Sequence, residues 1–196
     1  MISLSVILVA LGLLAGLARG GKIGNITVTR FRLAFLVFAG LGIQTAAELY
    51  AAFGDRAFRD DGRGLAILGI SYALLIIFVA ANIRLPGALL IGLGLALNLA
   101  VIIPNGGMPV SLRAAAAAGF NPSGYLESAV KHRELGPATR FPFLADIIPL
   151  PVLRKVISPG DIVQGLGIFF LVEGLVRYNP KRNQPGQALI ADTETG

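Results

Sequence analysis

The chain has 196 residues, of which 55% are hydrophobic and 14% are charged, and its mean hydropathy is +0.74. An ordinary soluble domain has about a quarter charged residues, so this composition excludes a soluble domain and indicates an integral membrane protein. The net charge of +6 does not indicate nucleic-acid binding, because the basic residues lie mainly between apolar segments, and the absence of cysteine excludes disulfides and thiolate metal sites.

The chain contains five apolar segments, and the length of each is close to that of a bilayer-spanning helix, about 20 residues. No lysine or arginine precedes the first segment, which favours an uncleaved helix over a secretory signal. The third and fourth are so close in sequence that they must form an antiparallel hairpin. The chain is therefore expected to be all-α, a five-helix transmembrane bundle in a single domain, residues 1–178, followed by a disordered cytoplasmic tail, residues 179–196. The predicted helices cover residues 2–18, 33–53, 64–81, 85–104 and 161–176.

The basic residues predict how this bundle is oriented. Short loops rich in lysine and arginine stay on the cytoplasmic side, and both the first loop and the C-terminal flank are basic. With five spans, the N-terminus is then outside, the C-terminus is cytoplasmic, and residues 105–160 are extracytoplasmic. The basic residues concerned are Arg19, Lys22, Arg30 and Arg32 in the first loop, and Arg177, Lys181 and Arg182 in the flank.

Residues 105–160 are predicted to form a helical and irregular cap between the fourth and fifth helices. "SLRAAAAAGF" is typical of a short helix with Ser111 as N-cap and Gly119 beyond its end. "YLESAVKHREL" predicts a second helix, ending at Gly136. Five prolines from Pro137 to Pro159 exclude a spanning helix in the rest. Because irregular backbone cannot rest against lipid, this part must pack on protein or enter the mouth of the bundle.

The stretch "VIIPNGGMPVS" joins the fourth helix to the cap. Pro104 is expected to end the helix, and Asn105, Gly106 and Gly107 supply the positive φ angles that a sharp reversal needs. We interpret these residues first as a hinge that fixes the cap, and second as candidate ligand-binding contacts.

Two carboxylates are candidate functional groups beneath the cap. Asp146 lies in the apolar stretch "FLADIIPLP", where a local turn or a salt bridge to Arg140 or Arg154 competes with a functional role. Asp161 begins the last helix in "ISPGDIVQGLG". Ser158, three residues earlier, gives this start the form of a capping box, and a capping carboxylate can also face a site.

Further polar residues are candidates for lining a cavity below the cap. Gln44 and Glu48 lie four residues apart near the outer end of the second helix, and Asn98 lies inside the fourth. They could equally satisfy one another between helices. His132, the only histidine, is more typical of a charged helix surface than of a metal ligand, and no metal or cofactor is predicted.

Small and charged residues also predict how helices pair. Packing inside the bundle is the favoured role of the small-residue faces, and a subunit interface with a protein partner is the alternative. Glu173 can pair with Arg177 one turn later. The small residues are Ala88, Gly92, Ala96 and Ala100 on the fourth helix, and Gly12 and Gly16 on the first.

The combination of "NLAVIIPNGGMPVS", "AAGF", "FLADIIPLP" and "ISPGDIVQGLG" resembles a family of uncharacterised bacterial membrane proteins with an NGG-x-MPV signature, here one residue shorter. This resemblance implies a bacterial inner membrane protein without an assigned activity. A weaker resemblance, to lipoprotein signal peptidase, rests on "LNLAVI" and on Asp161 at the start of the last helix. Ile102 occupies the position of that family's other aspartate, so Asp146 would have to replace it.

Three hypotheses about function follow. The favoured one is a non-catalytic membrane protein whose cap binds a membrane lipid, a small solute or a protein partner, with residues 105–107 shaping the pocket. The second is a membrane-embedded aspartyl hydrolase that uses Asp146 and Asp161, with His132 as a further candidate. The third is a small transporter or a membrane-complex subunit; five helices without an inverted repeat are unfavourable for a transporter.

Overall fold

The computed structural model describes residues 4–53, 63–121 and 132–178, and most of these residues are helical. Each of the five predicted apolar segments forms a helix. A 3-10 helix, Ile23–Val28, lies between the first two. The helices are α1 (Leu4–Ala18), α2 (Phe35–Phe53), α3 (Arg63–Ala81), α4 (Ala88–Asn105), α5 (Leu112–Ala117) and α6 (Pro159–Arg177).

Three of these helices, α3, α4 and α6, are long and apolar enough to span a membrane. The helix α1 and the segment Phe35–Ala47 of α2 are shorter apolar helices. Large apolar side chains such as Phe38 and Leu89 point away from the protein interior. Outward-facing apolar side chains on apolar helices are expected where lipid surrounds them, and three candidate membrane spans are therefore confirmed.

The boundaries of α4 and α6 differ from the predicted ones. The start of α4 falls at Ala88 because Gly87 adopts a left-handed conformation (φ 77°) as N-cap. At its other end α4 continues one residue beyond Pro104, since proline removes a hydrogen bond to the preceding turn but leaves the next residue free to be helical. The start of α6 falls at Pro159, which suits the first helical position.

Helices that are far apart in sequence pack together, and so do consecutive ones. The last helix, α6, lies between α1 and α4, while α3 packs on α4 and α2 packs on α3. Close approach between α4 and α6 depends on glycine: a Cβ at Gly94 would lie 2.5 Å from the Gln164 nitrogen, and a Cβ at Gly167 would lie 2.6 Å from the Ile91 nitrogen. Small residues thus bring the two backbones together.

The predicted small-residue faces have different outcomes on α1 and α4. Gly12 and Gly16 pack against α6, where a Cβ at Gly16 would lie 2.7 Å from the Val176 side chain, so packing inside the protein is confirmed for them. On α4, Ala88 is buried and Gly92 lies against Val79 of α3, but Ala96 and Ala100 are exposed, so the predicted face packs inside the protein only in its first half. The contact with α6 is made by glycines spaced seven residues apart, at 87 and 94.

Contacts between the helices show which helix ends lie on the same side of the protein. Leu8 meets Gly165 and Gly16 meets Val176, so α1 and α6 run parallel and begin at the same end. That end, where α4 finishes, carries the cap. At the opposite end, Asn82 accepts a hydrogen bond from the Arg32 N–H (2.9 Å) and donates one to the Arg32 carbonyl (2.7 Å). We call this opposite end the basic end.

The cap contains short strands as well as α5, so the chain is mostly helical and not purely so. Strand β1 (Met108–Val110) pairs in parallel with β2 (His132–Glu134), and β3 (Ile148–Leu150) pairs antiparallel with β4 (Lys155–Ile157). The second predicted cap helix is therefore wrong at residues 132–134, because pairing with β1 overrides local helix propensity. The remainder of that helix, residues 125–131, and the tail, residues 179–196, lie outside the described residues.

The short alanine-rich helix α5 has the predicted boundaries. The Ser111 hydroxyl accepts a hydrogen bond from the Ala114 N–H (3.2 Å), and Gly119 adopts a φ of 83° just beyond the helix end. The alanines on one side pack into a small core with Val110 and Val156. This helix thus ties β1 to β4 inside the cap.

Candidate functional site

A closed hydrogen-bonded network joins the start of α6 to α4. The Ser158 hydroxyl accepts from the Asp161 N–H and the Asp161 Oδ2 accepts from the Ser158 N–H, both at 3.0 Å, which confirms the predicted capping box. Asn98 completes the network: its Nδ2 donates to Asp161 Oδ1 and its Oδ1 accepts from Ser158 Oγ, both at 2.8 Å. A Cβ at Gly160 would collide with the Asn98 carboxamide, so glycine is required at the crossing.

Tyr72 brings α3 to the same network. Its side chain is buried beside Asn98, and its hydroxyl lies within electrostatic range of Asp161 and Asp146. The two carboxylates therefore lie on the same side of the helices, close to one tyrosine. Tyr72 was not among the predicted site residues, although a tyrosine in the middle of an apolar span needs a partner for its hydroxyl.

Asp146 and His132 form a buried pair within the cap. The Asp146 Oδ2 lies 3.9 Å from the His132 Nε2, and their side chains are 7% and 9% exposed. The backbone fixes both residues. His132 lies opposite Met108 in the β1–β2 pair, and Asp146 bridges Val110 from the other side of β1. His132 is thus a buried strand residue, and not the surface helix residue that the sequence indicated.

The two arginines that were predicted to compete for Asp146 make other contacts. The Arg154 guanidinium donates to the Gly119 carbonyl (2.8 Å) and lies 5.5 Å from the centre of the Phe120 ring. The Arg140 backbone is held at the end of α4. The pairing of Asp146 with His132 depends instead on the register of β1 and β2, which is not visible in local sequence.

Asn105 clamps the cap to the end of α4. Its Oδ1 accepts from the Arg140 N–H (2.8 Å), and its Nδ2 donates to the carbonyls of Arg140 (2.9 Å) and Val101 (2.7 Å). Gly106 and Gly107 have φ angles of 65° and 155°, as the turn requires, and the Gly107 N–H returns to the carbonyl of residue 102 (3.0 Å). The Asn105 carboxamide thus has a structural role in fixing the cap, which is the first of the two roles considered for it.

The remaining predicted pocket residues, Gln44 and Glu48, lie on α2. Gln44 is half-buried, and among the described residues no hydrogen bond joins it to Asn98 or Asp161. The Glu48 side chain lies outside the described part of the structure. α2 meets the rest of the helices through α3, where the Ser71 hydroxyl donates to the Gly40 carbonyl (2.7 Å).

The two carboxylates have different partners. Asp161 accepts hydrogen bonds from Asn98 and Ser158, as a helix cap does, whereas Asp146 faces His132. An aspartyl dyad needs two carboxyl groups that share a proton, and this arrangement gives no support to one. Within residues 4–53, 63–121 and 132–178, no group of three histidine, cysteine, aspartate or glutamate residues is placed to hold a metal ion.

An exposed aromatic pair lies next to the clamped segment. The rings of Phe141 and Phe143 meet edge to face at 6.4 Å and are 49% and 63% exposed, and Arg140 beside them is exposed as well. Phe141 adopts a left-handed conformation (φ 55°), which is a genuine outlier for a bulky residue. The turn Pro142–Leu144 packs on α4 and α6. We call Arg140, Phe141 and Phe143 the aromatic cap face.

Comparison with known proteins gives one match. Residues 28–173 match a family of unknown function, DUF5317. No curated protein and no solved structure matches the chain. An uncharacterised family was predicted, and this is confirmed; the NGG-x-MPV signature and the likeness to lipoprotein signal peptidase stay predictions.

Proposed function

We propose, from the premise that the chain belongs to the family of unknown function DUF5317, that it is a five-span membrane protein whose cap binds membrane lipid at the outer boundary of the bilayer. The observation that carries this proposal is the aromatic cap face. Two large apolar rings stand exposed on a segment held against the end of α4. Exposed apolar patches mark sites of contact with a partner or a membrane.

The proposed topology places both α1 and α2 in the membrane with the three longer helices. Parallel α1 and α6 put the N-terminus at the cap end and the C-terminus at the basic end. The short loops and the C-terminal flank at the basic end carry six exposed cations, which suits the cytoplasmic face of a bacterial inner membrane because the charge rule is counted over short loops and not over a long cap. These exposed residues are Arg19, Lys22, Arg30, Arg32, Arg84 and Arg177.

Lipid is the best-supported of the three ligand classes for the cap. Aromatic side chains gather at the membrane boundary, and a cationic neighbour such as Arg140 suits anionic headgroups. The strained φ of Phe141 supports a functional role, because such conformations persist where surrounding contacts enforce them, often at ligand sites. Asn105 supplies such a contact through the Arg140 backbone.

The buried polar groups fit this proposal as structural groups. The Asn98 network joins α4 to the start of α6 beneath the cap, and the Asp146–His132 pair lies within the cap. The hydrolase and transporter hypotheses gain no specific observation, because the polar side chains of the Asn98 network bind one another.

The topology can be tested with single cysteines, because the chain contains none. Ala138→Cys lies in the cap and Thr27→Cys lies at the basic end, and both positions are exposed. An impermeant maleimide applied to intact spheroplasts should label Ala138→Cys at once, and Thr27→Cys only after permeabilisation. The reverse pattern would overturn the proposed orientation.

Lipid contact can be tested with single tryptophans, because the chain contains none. Phe143→Trp in vesicles of brominated phosphatidylglycerol should be quenched by the lipid and protected from iodide. Phe38→Trp on the exposed face of α2 is the matched control for full lipid contact. If iodide quenches Phe143→Trp as strongly as free tryptophan while the control is quenched by lipid, the cap stands in water and the proposal fails.

A further inference from the structure

Two arginines converge on one buried carboxylate at the basic end. Arg19 and Arg177 place their Nη1 atoms 2.9 and 2.8 Å from the same Oε1 of Glu173. The predicted pairing of Glu173 with Arg177 is thereby confirmed, and Arg19, directly after α1, is added to it. The arginine side chains are 64% and 50% exposed, whereas the glutamate side chain is 8% exposed. The carboxylate thus lies inside and fixes two guanidinium groups side by side at the surface.

A third cation and two amide donors surround the same helix end. The Lys22 N–H donates to the Val176 carbonyl (2.9 Å), and so does the Asn25 side chain (2.7 Å). The end of a helix carries partial negative charge on such carbonyls, and these donors reduce it. The Lys22 backbone is thereby anchored beside the two guanidinium groups, and an anion approaching this end meets a paired carboxylate and a helix carbonyl whose partial charge is reduced.

We propose that Arg19, Lys22 and Arg177 form a binding site for the phosphate of an anionic phospholipid. Each guanidinium has five N–H donors, so donors remain after the contact with Glu173. Because Glu173 already holds the two groups together, little side-chain freedom is lost when a phosphate binds.

The position of the site favours a lipid over free phosphate. Ile23 follows Lys22 directly and is exposed, and Ile83 and Leu33 at the same end are exposed as well. Exposed apolar side chains beside cations suit the boundary between acyl chains and headgroups. This inference depends on the membrane embedding proposed above, but the residues that form the site are remote from the cap.

The test is binding of short-chain phosphatidylglycerol to the full-length protein in neutral detergent, followed by native mass spectrometry. Arg19→Gln and Arg177→Gln should each weaken binding about 10-fold, since each removes a charge-assisted contact. Arg84→Gln, an exposed arginine at the same end with no contact to Glu173, is the matched control and should leave affinity within about 2-fold.

Glu173→Gln separates an organised site from diffuse attraction. This change raises the net charge by one, so diffuse attraction predicts tighter binding, whereas loss of the anchor that holds the two arginines predicts weaker binding. Tighter or unchanged binding overturns the proposal. If Glu173→Gln does not fold, the contrast between Arg19→Gln and Arg84→Gln decides, and equal losses refute the site.

Two further comparisons complete the test. Phosphatidylcholine should bind more weakly than phosphatidylglycerol, and soluble glycerol phosphate should compete poorly; equal binding of glycerol phosphate would overturn the assignment to lipid. Arg19→Gln should leave the quenching of Phe143→Trp unchanged, so a failure of this site is distinguishable from a failure of the cap proposal.

Discussion

Replacing Asn105 with alanine is expected to detach the cap from α4 and to destabilise the protein. The substitution removes both contacts with the Arg140 backbone and the contact with the Val101 carbonyl. It leaves Gly106 and Gly107 in place, so the turn itself can still form. The expected loss is therefore in the attachment of the cap and not in the path of the chain.

The magnitude follows from the three hydrogen bonds. Each contributes about 0.5–1.5 kcal/mol net, and the two to Arg140 belong at the low end because water can replace them. Together they amount to about 2 kcal/mol, of which about 0.5 kcal/mol is offset because alanine is a better helix former than asparagine. The free energy of unfolding should fall by about 1.5 kcal/mol.

Two measurements on the detergent-solubilised protein test this prediction. The Tm should fall, and a cysteine at position 143 should react faster with maleimide in the Asn105→Ala background. Asn82→Ala is the matched control, since Asn82 makes the same pattern of contacts with Arg32 at the basic end. It should lower the Tm without changing labelling at position 143. An unchanged Tm and labelling rate would refute the clamp, and normal stability with lost lipid quenching would identify Asn105 as a direct ligand contact.

Three further predictions concern the helix crossing, the cap of α6 and the turn. Gly160→Ala should destabilise the protein by about 3 kcal/mol, because the added Cβ collides with the Asn98 carboxamide. The control Gly42→Ala on α2, where a Cβ meets open space, should stabilise it slightly. Equal Tm shifts for the two variants would contradict the close approach of α4 and α6. Ser158→Ala should lower the free energy of unfolding by about 2 kcal/mol, since it removes a helix cap and a donor to Asn98. A decrease of less than about 0.5 kcal/mol, measured by denaturation, would count against the network. Gly106→Ala should lower the free energy of unfolding by about 1 kcal/mol, because a side chain at this position has space but is disfavoured by the left-handed φ. Gly106→Asn, measured by the same denaturation experiment, should lower it less, because asparagine tolerates this conformation better.

Features that depend on a few neighbouring residues were predictable. The capping box of Ser158 and Asp161, the N-cap at Ser111 and the positive φ angles of the glycine turn all follow from backbone groups within a few positions. Apolar segment length likewise located the helices. Interactions between residues a few positions apart can therefore be predicted from the order of the residues.

The candidate site was predictable only in part. Asn98, Asp146 and Asp161 were identified as polar groups in apolar surroundings, but their partners were not. Asn98 binds Asp161 because α6 packs on α4, and Asp146 meets His132 because β2 pairs with β1. Neither pairing has a local sequence pattern, so no periodicity could indicate it.

The sequence by itself determined that the chain is mostly helical and apolar, which segments form its long helices, and that prolines keep residues 137–158 out of an α-helix. The tertiary structure alone decided that α6 lies between α1 and α4, that residues 132–134 form a strand, and that two arginines meet at Glu173. The physical reason is the sequence distance over which each interaction acts. Hydropathy, caps and turn angles act within a few residues, whereas helix order and strand pairing depend on surfaces that meet only after the chain has folded.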